Sequence, residues 1–270
     1  MSDREIVDAQ QPGDGVLWRG TDFSGITLVL GVGAGRLVTL LNEQAAVANG
    51  TLVVVDHNLR ELRAAAPLRD QGSSVLIQGR PRQIPVLAET VDLLVVNGVM
   101  REVPEGKLEA MFEELWRALV PGGHLRISDI IEPSEAAYNL AWTERNRTVR
   151  KLGKALGRPT ALSVNLPCAA RASRMVGFED LALSFLPGYG LTDAWLEETV
   201  NAIRNMAGRV GDHILRREIL DRDVGRLVAA YAQGDQRAAE RFVLQGVKVG
   251  DLALSMESSF TEEDLLGPQD

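Results

Sequence analysis

The run ITLVLGVGAG, residues 26–35, places five apolar or β-branched residues directly before glycines at 31, 33 and 35. Ile26 to Leu30 is too short for a helix and continuously apolar, the composition of a strand buried on both faces of a parallel sheet. Beyond the glycines, Leu37, Val38, Leu40, Leu41, Ala45 and Ala48 fall on one helical stripe, with Arg36, Asn42, Glu43 and Gln44 turned away, until Asn49-Gly50 stops it. A buried strand joined by a glycine turn to an amphipathic helix is the opening unit of an open α/β sheet. Glycines there allow a tight turn and a close approach of ligand to backbone, and the helix start offers free N–H groups. A purely structural turn satisfies the same residues. The dinucleotide fingerprint requires glycine at its sixth position, where Arg36 stands, so a nicotinamide or flavin enzyme is disfavoured.

The pattern continues outward. Thr51 to Val55 predicts a second strand, ended by Asp56-His57-Asn58, and Leu59, Leu62, Ala65 and Ala66 a second helix. Ser74 to Ile77 predicts a third strand, and Arg80 to Glu89, with Pro81 and Pro85, an irregular crossover. Val91 to Val96 predicts the fourth strand. Leu108, Met111, Phe112, Leu115, Trp116 and Leu119 follow helical spacing, Pro121-Gly122-Gly123 ends that helix, and His124 to Ile130 predicts the fifth strand. Asp56 stands 25 residues after Gly31, at the strand end where an acid accepts hydrogen bonds from both hydroxyls of a ribose. An N-cap to the following helix is its bland alternative. Turn and acid together point to an adenosine-containing ligand.

Downstream, Glu135 to Leu156 reads as helix ending at Gly157-Arg158-Pro159, and Leu181 to Leu186 as a sixth strand. Thr192 to Tyr231 is helical in pattern, with Leu196, Val200, Ile203, Ala207, Val210 and Ile214 as its stripe and a break expected near Gly211 or Gly225. Gly234-Asp235 predicts a stop and an N-cap opening a further helix to about Lys248, with a short strand from Leu252 to Met256 after it. The division expected is an N-terminal segment (1–24), an α/β core (25–133), a helical insertion (134–170), a return to the sheet (171–187), a helical cap (188–257) and an acidic tail (258–270).

Composition narrows the classes. The chain has 270 residues, 45% of them apolar and 24% charged, so disorder and small disulfide scaffolds are disfavoured. Its single cysteine and three histidines make disulfides and zinc sites poor readings. Met1 to Gly15 carries charges without an apolar stretch and does not read as a secretory signal, which makes the cytoplasm the expected compartment. A net charge of −8 argues against nucleic acid or a membrane surface as partner.

Between residues 25 and 130 the chain resembles the class I S-adenosylmethionine-dependent methyltransferases. Gly31 to Gly35 (GVGAG) matches their glycine-rich first motif, Asp56 their ribose-binding acid, and Gln78-Gly79-Arg80 falls where they bind adenine. Val91 to Asn97 (VDLLVVN) looks like their fourth-strand motif. Leu115 to Leu125 (LWRALVPGGHL) is the most specific match, and Met175 to Asp180 (MVGFED) looks like their approach to the sixth strand. The resemblance implies a Rossmann-like, mostly parallel sheet with flanking helices and S-adenosyl-L-methionine as cofactor. By that resemblance Gly31, Val32, Gly33 and Gly35 hold the methionine part, Asp56 the ribose, Gly79 and Arg80 the adenine rim, and Asn97 and Gly98 the reactive end; His57, next to Asp56, borders the adenosine rather than serving as a base. Two departures stand out: Val29 replaces a common acid two residues before the first glycine, and Arg80 an Asp that accepts from the adenine amino group. A guanidinium cannot accept a hydrogen bond.

Methyl transfer needs alignment and water exclusion more than covalent help, and a general base only when the acceptor is protonated. Asp129, near the end of the fifth strand, and Glu102, in the loop after the fourth, are the candidates for that base. His124 starts the fifth strand at its opposite end, and His213 lies in the cap. From Arg145 to Arg158 the chain has six basic residues and no acid, which suits either an anionic substrate or a solvated face. The expected activity is methyl transfer to a small-molecule acceptor, anionic if that basic stretch serves it. The alternative is a methyltransferase-like binding or scaffolding subunit without catalysis. The C-terminal helices offer a homodimer interface, or equally the core of the cap.

Overall fold

The structure, a computed structural model, describes residues 20–33, 35–70, 74–133, 136–157 and 162–250. Seven strands form one sheet: β1 (Ile26–Leu30), β2 (Thr51–Asp56), β3 (Ser74–Gln78), β4 (Val91–Asn97), β5 (Leu119–Ile130), β6 (Phe178–Leu186) and β7 (Arg241–Lys248). Their spatial order is β3-β2-β1-β4-β5-β7-β6. The first five strands run parallel, and β7 lies antiparallel between β5 and β6. Leu28 pairs with Val53 on one side and Leu94 on the other, so the apolar run that opens the core is its centre.

Side chains alternate across the sheet because the strand period is two. Leu28, Leu30, Val53, Val55, Leu94 and Val96 join one buried cluster with Met111, Phe112 and Leu115 of α3 (Leu108–Ala118) and Ala169 and Ala172 of α5 (Leu166–Val176). Val29, Leu52, Val54, Leu93 and Val95 join the opposite cluster with Leu37, Val38 and Leu41 of α1 (Arg36–Val47) and Leu62 of α2 (Leu59–Ala64). Both faces are covered, which is why these strands read as unbroken apolar runs.

The cap packs around its own core. α4 (Leu140–Ala155), α6 (Asp193–Ala207), α7 (His213–Glu218), a π-helical turn (Ile219–Asp223) and α8 (Val224–Tyr231) bury Ala141, Leu152, Val200, Ile203, Ala207, Val210, Ile219 and Leu227 together. The expected helical break falls at residues 208–212, near Gly211, whereas Gly225 sits inside helix. The stripe from Leu196 to Ile214 is thus mostly cap interior; only Ile214, 82% exposed, faces solvent.

Two expectations are corrected. α3 ends at Ala118, before Pro121-Gly122-Gly123, because Leu119 already pairs with Val91; pairing resumes at His124 with Leu93, leaving the Pro-Gly-Gly as an irregularity within β5. The helix predicted from Asp235 to Lys248 is instead an extended segment and β7. Leu191 N–H donates to Gln236 O, Arg237 N–H to Tyr138 O and Ala238 N–H to Tyr189 O, which ties the chain out straight. Phe242, Val243 and Leu244 are then buried on both sheet faces. Helix-forming residues at 237–241 misled local reading, and tertiary burial won. The strand expected at Leu252 to Met256, the Arg158-Pro159 stop, the acidic tail and residues 1–19 lie outside the described residues.

Candidate functional site

The chain order reverses between β1 and β4, the place in an open α/β sheet where a crevice opens at the strand ends. Gly31 ends β1 there with φ +94°. A Cβ on it would meet Val99 Cγ2 at 2.4 Å and Asn97 O at 2.8 Å. Its N–H donates to Val55 O at 2.9 Å. Asp56, 8% exposed, accepts from Val32 N–H through Oδ2 at 2.8 Å and from Asn58 N–H through Oδ1 at 2.7 Å. Asn58 Oδ1 in turn accepts from Arg60 N–H at 3.0 Å and caps α2. The acid therefore joins the glycine turn to the next helix, and each carboxylate oxygen keeps a lone pair for a ligand.

A cleft of about 450 Å³ opens above this junction. Gly31, Val32, Gly33, Asp56, His57, Asn97 and Gly98 line it, together with Glu102 and Asp129. Gly35 lies outside that lining. Gly79 and Arg80 border an adjoining hollow of about 710 Å³, which shares His57 with the cleft. Sequence therefore brings nine of its twelve candidates to one wall and two to the next.

The two candidate bases differ in access. Glu102, on the short 3₁₀ turn Met100–Glu102, has a side chain 46% exposed, with Oε2 3.7 Å from His57 Nδ1. Burial pushes its carboxyl upward, and the His57 charge opposes that. Asp129 has no side-chain exposure. It accepts from Arg101 N–H at 3.1 Å and Ile130 N–H at 2.8 Å, and Arg101 Nε lies 3.5 Å from its Oδ1. Burial drives its carboxyl upward against the Arg101 charge. The geometry leaves Glu102 the carboxylate with open access and makes Asp129 the anchor of the turn that carries it.

Several residues at the cleft escaped sequence reading. Arg101, Ser128, Tyr189 and Arg241 line it with Glu61 and Asn58. Arg241 was hidden because its strand carries a helical pattern; Tyr189, just after β6, stands in no motif. At the adjoining hollow, the Arg117 guanidinium donates to Ile84 O, Val86 O and Glu114, clamping the irregular crossover beside Gly79. Val29 is fully buried within the sheet's core, and Arg80 is exposed, its backbone bridged to Gln83. His124 pairs with Leu93 and Val247 far along β5 from the cleft, and His213 starts α7 with its Nδ1 2.7 Å from Arg216.

Comparison with known proteins agrees with this geometry. A family model described as a methyltransferase domain matches residues 28–123. A demethylmenaquinone methyltransferase of Roseiflexus sp. (strain RS-1) is 25% identical over 162 residues, which cover 57% of this chain and 66% of that relative, just under two thirds. Among solved structures, a candidate methyltransferase of Bacillus halodurans C-125 superposes with TM-score 0.51 at 17% identity, covering 84% of this chain and 93% of its own. A phosphoethanolamine N-methyltransferase of Haemonchus contortus, in complex with phosphomonomethylethanolamine and S-adenosylhomocysteine, does so with TM-score 0.50 at 14% identity, covering 93% and 61%. Among the described residues, no helix is long and apolar enough to cross a membrane. The glycine turn and strand-end acid on adjacent strands, with the reversal of strand order beside them, thus lie within the stretch, residues 28–123, over which the chain is similar to a methyltransferase domain.

Proposed function

We propose that the protein transfers the methyl group of S-adenosylmethionine to a small-molecule acceptor. The observation that carries this reading is the Asp56 carboxylate, held against the Val32 N–H at the mouth of a glycine turn too tight to admit a Cβ at Gly31. That cradle fits the donor: Gly31, Val32 and Gly33 bring backbone close to its methionine part, Asp56 accepts from ribose hydroxyls, and Asn97 and Gly98 border the reacting end. His57 borders the adenosine, with Gly79 and Arg80 at the adenine rim. A cleft of about 450 Å³ is in the range of small-ligand sites. When bound, the cofactor supplies an electrophilic sulfonium methyl. The chain's own part is to align the acceptor, exclude water and take a proton where the acceptor has one to lose. Glu102, half-exposed in the cleft and raised by burial, is the residue placed to take it; Asp129 positions the turn beneath. The acceptor named for the Roseiflexus relative is a small molecule, which supports that class here.

Isothermal titration with S-adenosylmethionine and S-adenosylhomocysteine tests the reading. One-site binding of both is expected. Absence of binding at about millimolar ligand would overturn it.

A further inference from the structure

The cleft is electrically divided. Asp56 ends β2 and Glu61 lies on α2, with Glu102 Oε2 3.7 Å from His57 beside them; Arg101 lies 3.5 Å from Asp129 of β5, Arg241 of β7 donates to Ser128 Oγ of β5 at 2.8 Å, and Tyr189 follows β6. Behind Tyr189 lies Arg145 of α4. Its guanidinium carbon sits 4.9 Å from the centre of the Trp142 ring, and that ring meets Tyr189 edge-on at 6.2 Å.

Three other cations of α4 are already neutralised. Arg147 pairs with Glu144 at 3.5 Å, Arg150 with Glu132 at 2.7 Å and Lys151 with Asp223 at 2.7 Å. Arg145 has no carboxylate within ion-pair distance among the described residues; its one polar partner is the neutral Asn146 Oδ1, at 2.8 Å. Burial, and after it the nearby Arg101 charge, disfavour the Arg145 charge, and a bound anion offsets both. Trp142 Nε1 and Asn146 Nδ2, one helical turn apart, are buried donors without an acceptor among the described residues. Arg101 and Arg241 line the cleft with Tyr189, and the Arg145 charge acts on the same phenol from behind Trp142. Beside them lies the buried carboxylate of Asp129, whose Oδ1 is 3.5 Å from Arg101 Nε.

Resting on the methyl-transfer reading above, we propose that the acceptor carries an oxyanion, phosphate or carboxylate, that docks between Arg101, Arg145 and Arg241 against Tyr189. Guanidinium forks match both groups geometrically. The opposite sign at the other end of the cleft then orients the acceptor, anionic end toward the cap and nucleophile toward Glu102 and the donor's cationic methyl.

The experiment titrates full-length protein, saturated with S-adenosylhomocysteine, with inorganic phosphate and separately with acetate, using chloride at equal ionic strength as control. Saturable binding of one or both beyond chloride is expected, phosphate alone indicating a phosphoryl acceptor and acetate alone a carboxylate. Arg145→Met should weaken that binding about tenfold or more and leave affinity for S-adenosylhomocysteine within about twofold. Arg241→Gln, at the cleft wall, is the second variant and carries the test if Arg145→Met fails to fold. No saturable binding of either anion, or undiminished binding in the folded variants, overturns the inference. A parallel loss of S-adenosylhomocysteine affinity overturns it too, by assigning the cluster to the cofactor. Failure to bind S-adenosylhomocysteine in the parent protein overturns the methyl-transfer reading instead, so the two failures are distinct.

Discussion

The Asp56 carboxylate at the end of β2 accepts a 2.8 Å hydrogen bond from the backbone N–H of Val32, the second residue of the glycine turn at the end of β1. The two signals that suggest an adenosine ligand, 24 residues apart in the chain, are therefore one structural unit. Removing the acid withdraws the proposed ribose contacts and also orphans a buried N–H, since Val32 is 2% exposed. Asp56→Ala is expected to weaken S-adenosylhomocysteine binding about 10- to 100-fold and to cost about 1–3 kcal/mol of stability. Calorimetric titration and urea unfolding check both parts. An affinity within twofold of the parent would refute the proposed role.

Gly31 provides a steric test of the same unit. Its φ of +94° is poorly tolerated by an L side chain, and an added Cβ would press on both Val99 Cγ2 and Asn97 O. Gly31→Ala should therefore destabilise by about 2 kcal/mol or more and abolish detectable S-adenosylhomocysteine binding. Adding Val99→Ala should recover only part of the loss, because the Asn97 carbonyl remains 2.8 Å from the new methyl. Full rescue in that double-mutant cycle would mean that the side-chain contact alone sets the constraint.

What was legible in the sequence follows a physical division. β1, β2 and β4 are central strands covered on both faces, so Ile26 to Leu30 and Val91 to Val96 had to be continuously apolar, and the turn between β1 and α1 had to be glycine. Those constraints are local and leave a readable pattern. β7 was misread because Arg237 to Arg241 are good helix formers, while the pull toward strand comes from the distant β5 and β6 that flank Phe242 to Leu244. The acceptor end of the cleft was illegible for a related reason. Arg101, Arg145, Tyr189 and Arg241 come from four separate elements, and no spacing records that they converge. The basic stretch of α4 was visible as a stretch, but only partners elsewhere in the chain separate the paired Arg150 and Lys151 from Arg145.

Asp129 yields a pH prediction. Burial raises its native carboxyl above the ordinary aspartate value of 3.8, with Arg101 opposing. Between the unfolded and the raised native value, the folded chain holds the proton more tightly than the unfolded chain. Stability from this group is therefore full below the unfolded value and is lost as pH rises through the native one. Asp129→Asn removes that slope. Its carbonyl can still accept from Arg101 N–H or Ile130 N–H, but its amide then faces the other donor, a cost independent of pH. The variant should thus be less stable than the parent near pH 4, with the gap narrowing toward about pH 8. Urea unfolding of both proteins across that range isolates the Asp129 contribution, because other titrating groups shared by the two proteins cancel in the difference. A gap that stays constant or widens with pH would show that the folded protein holds Asp129 ionised throughout, with the Arg101 charge outweighing its burial.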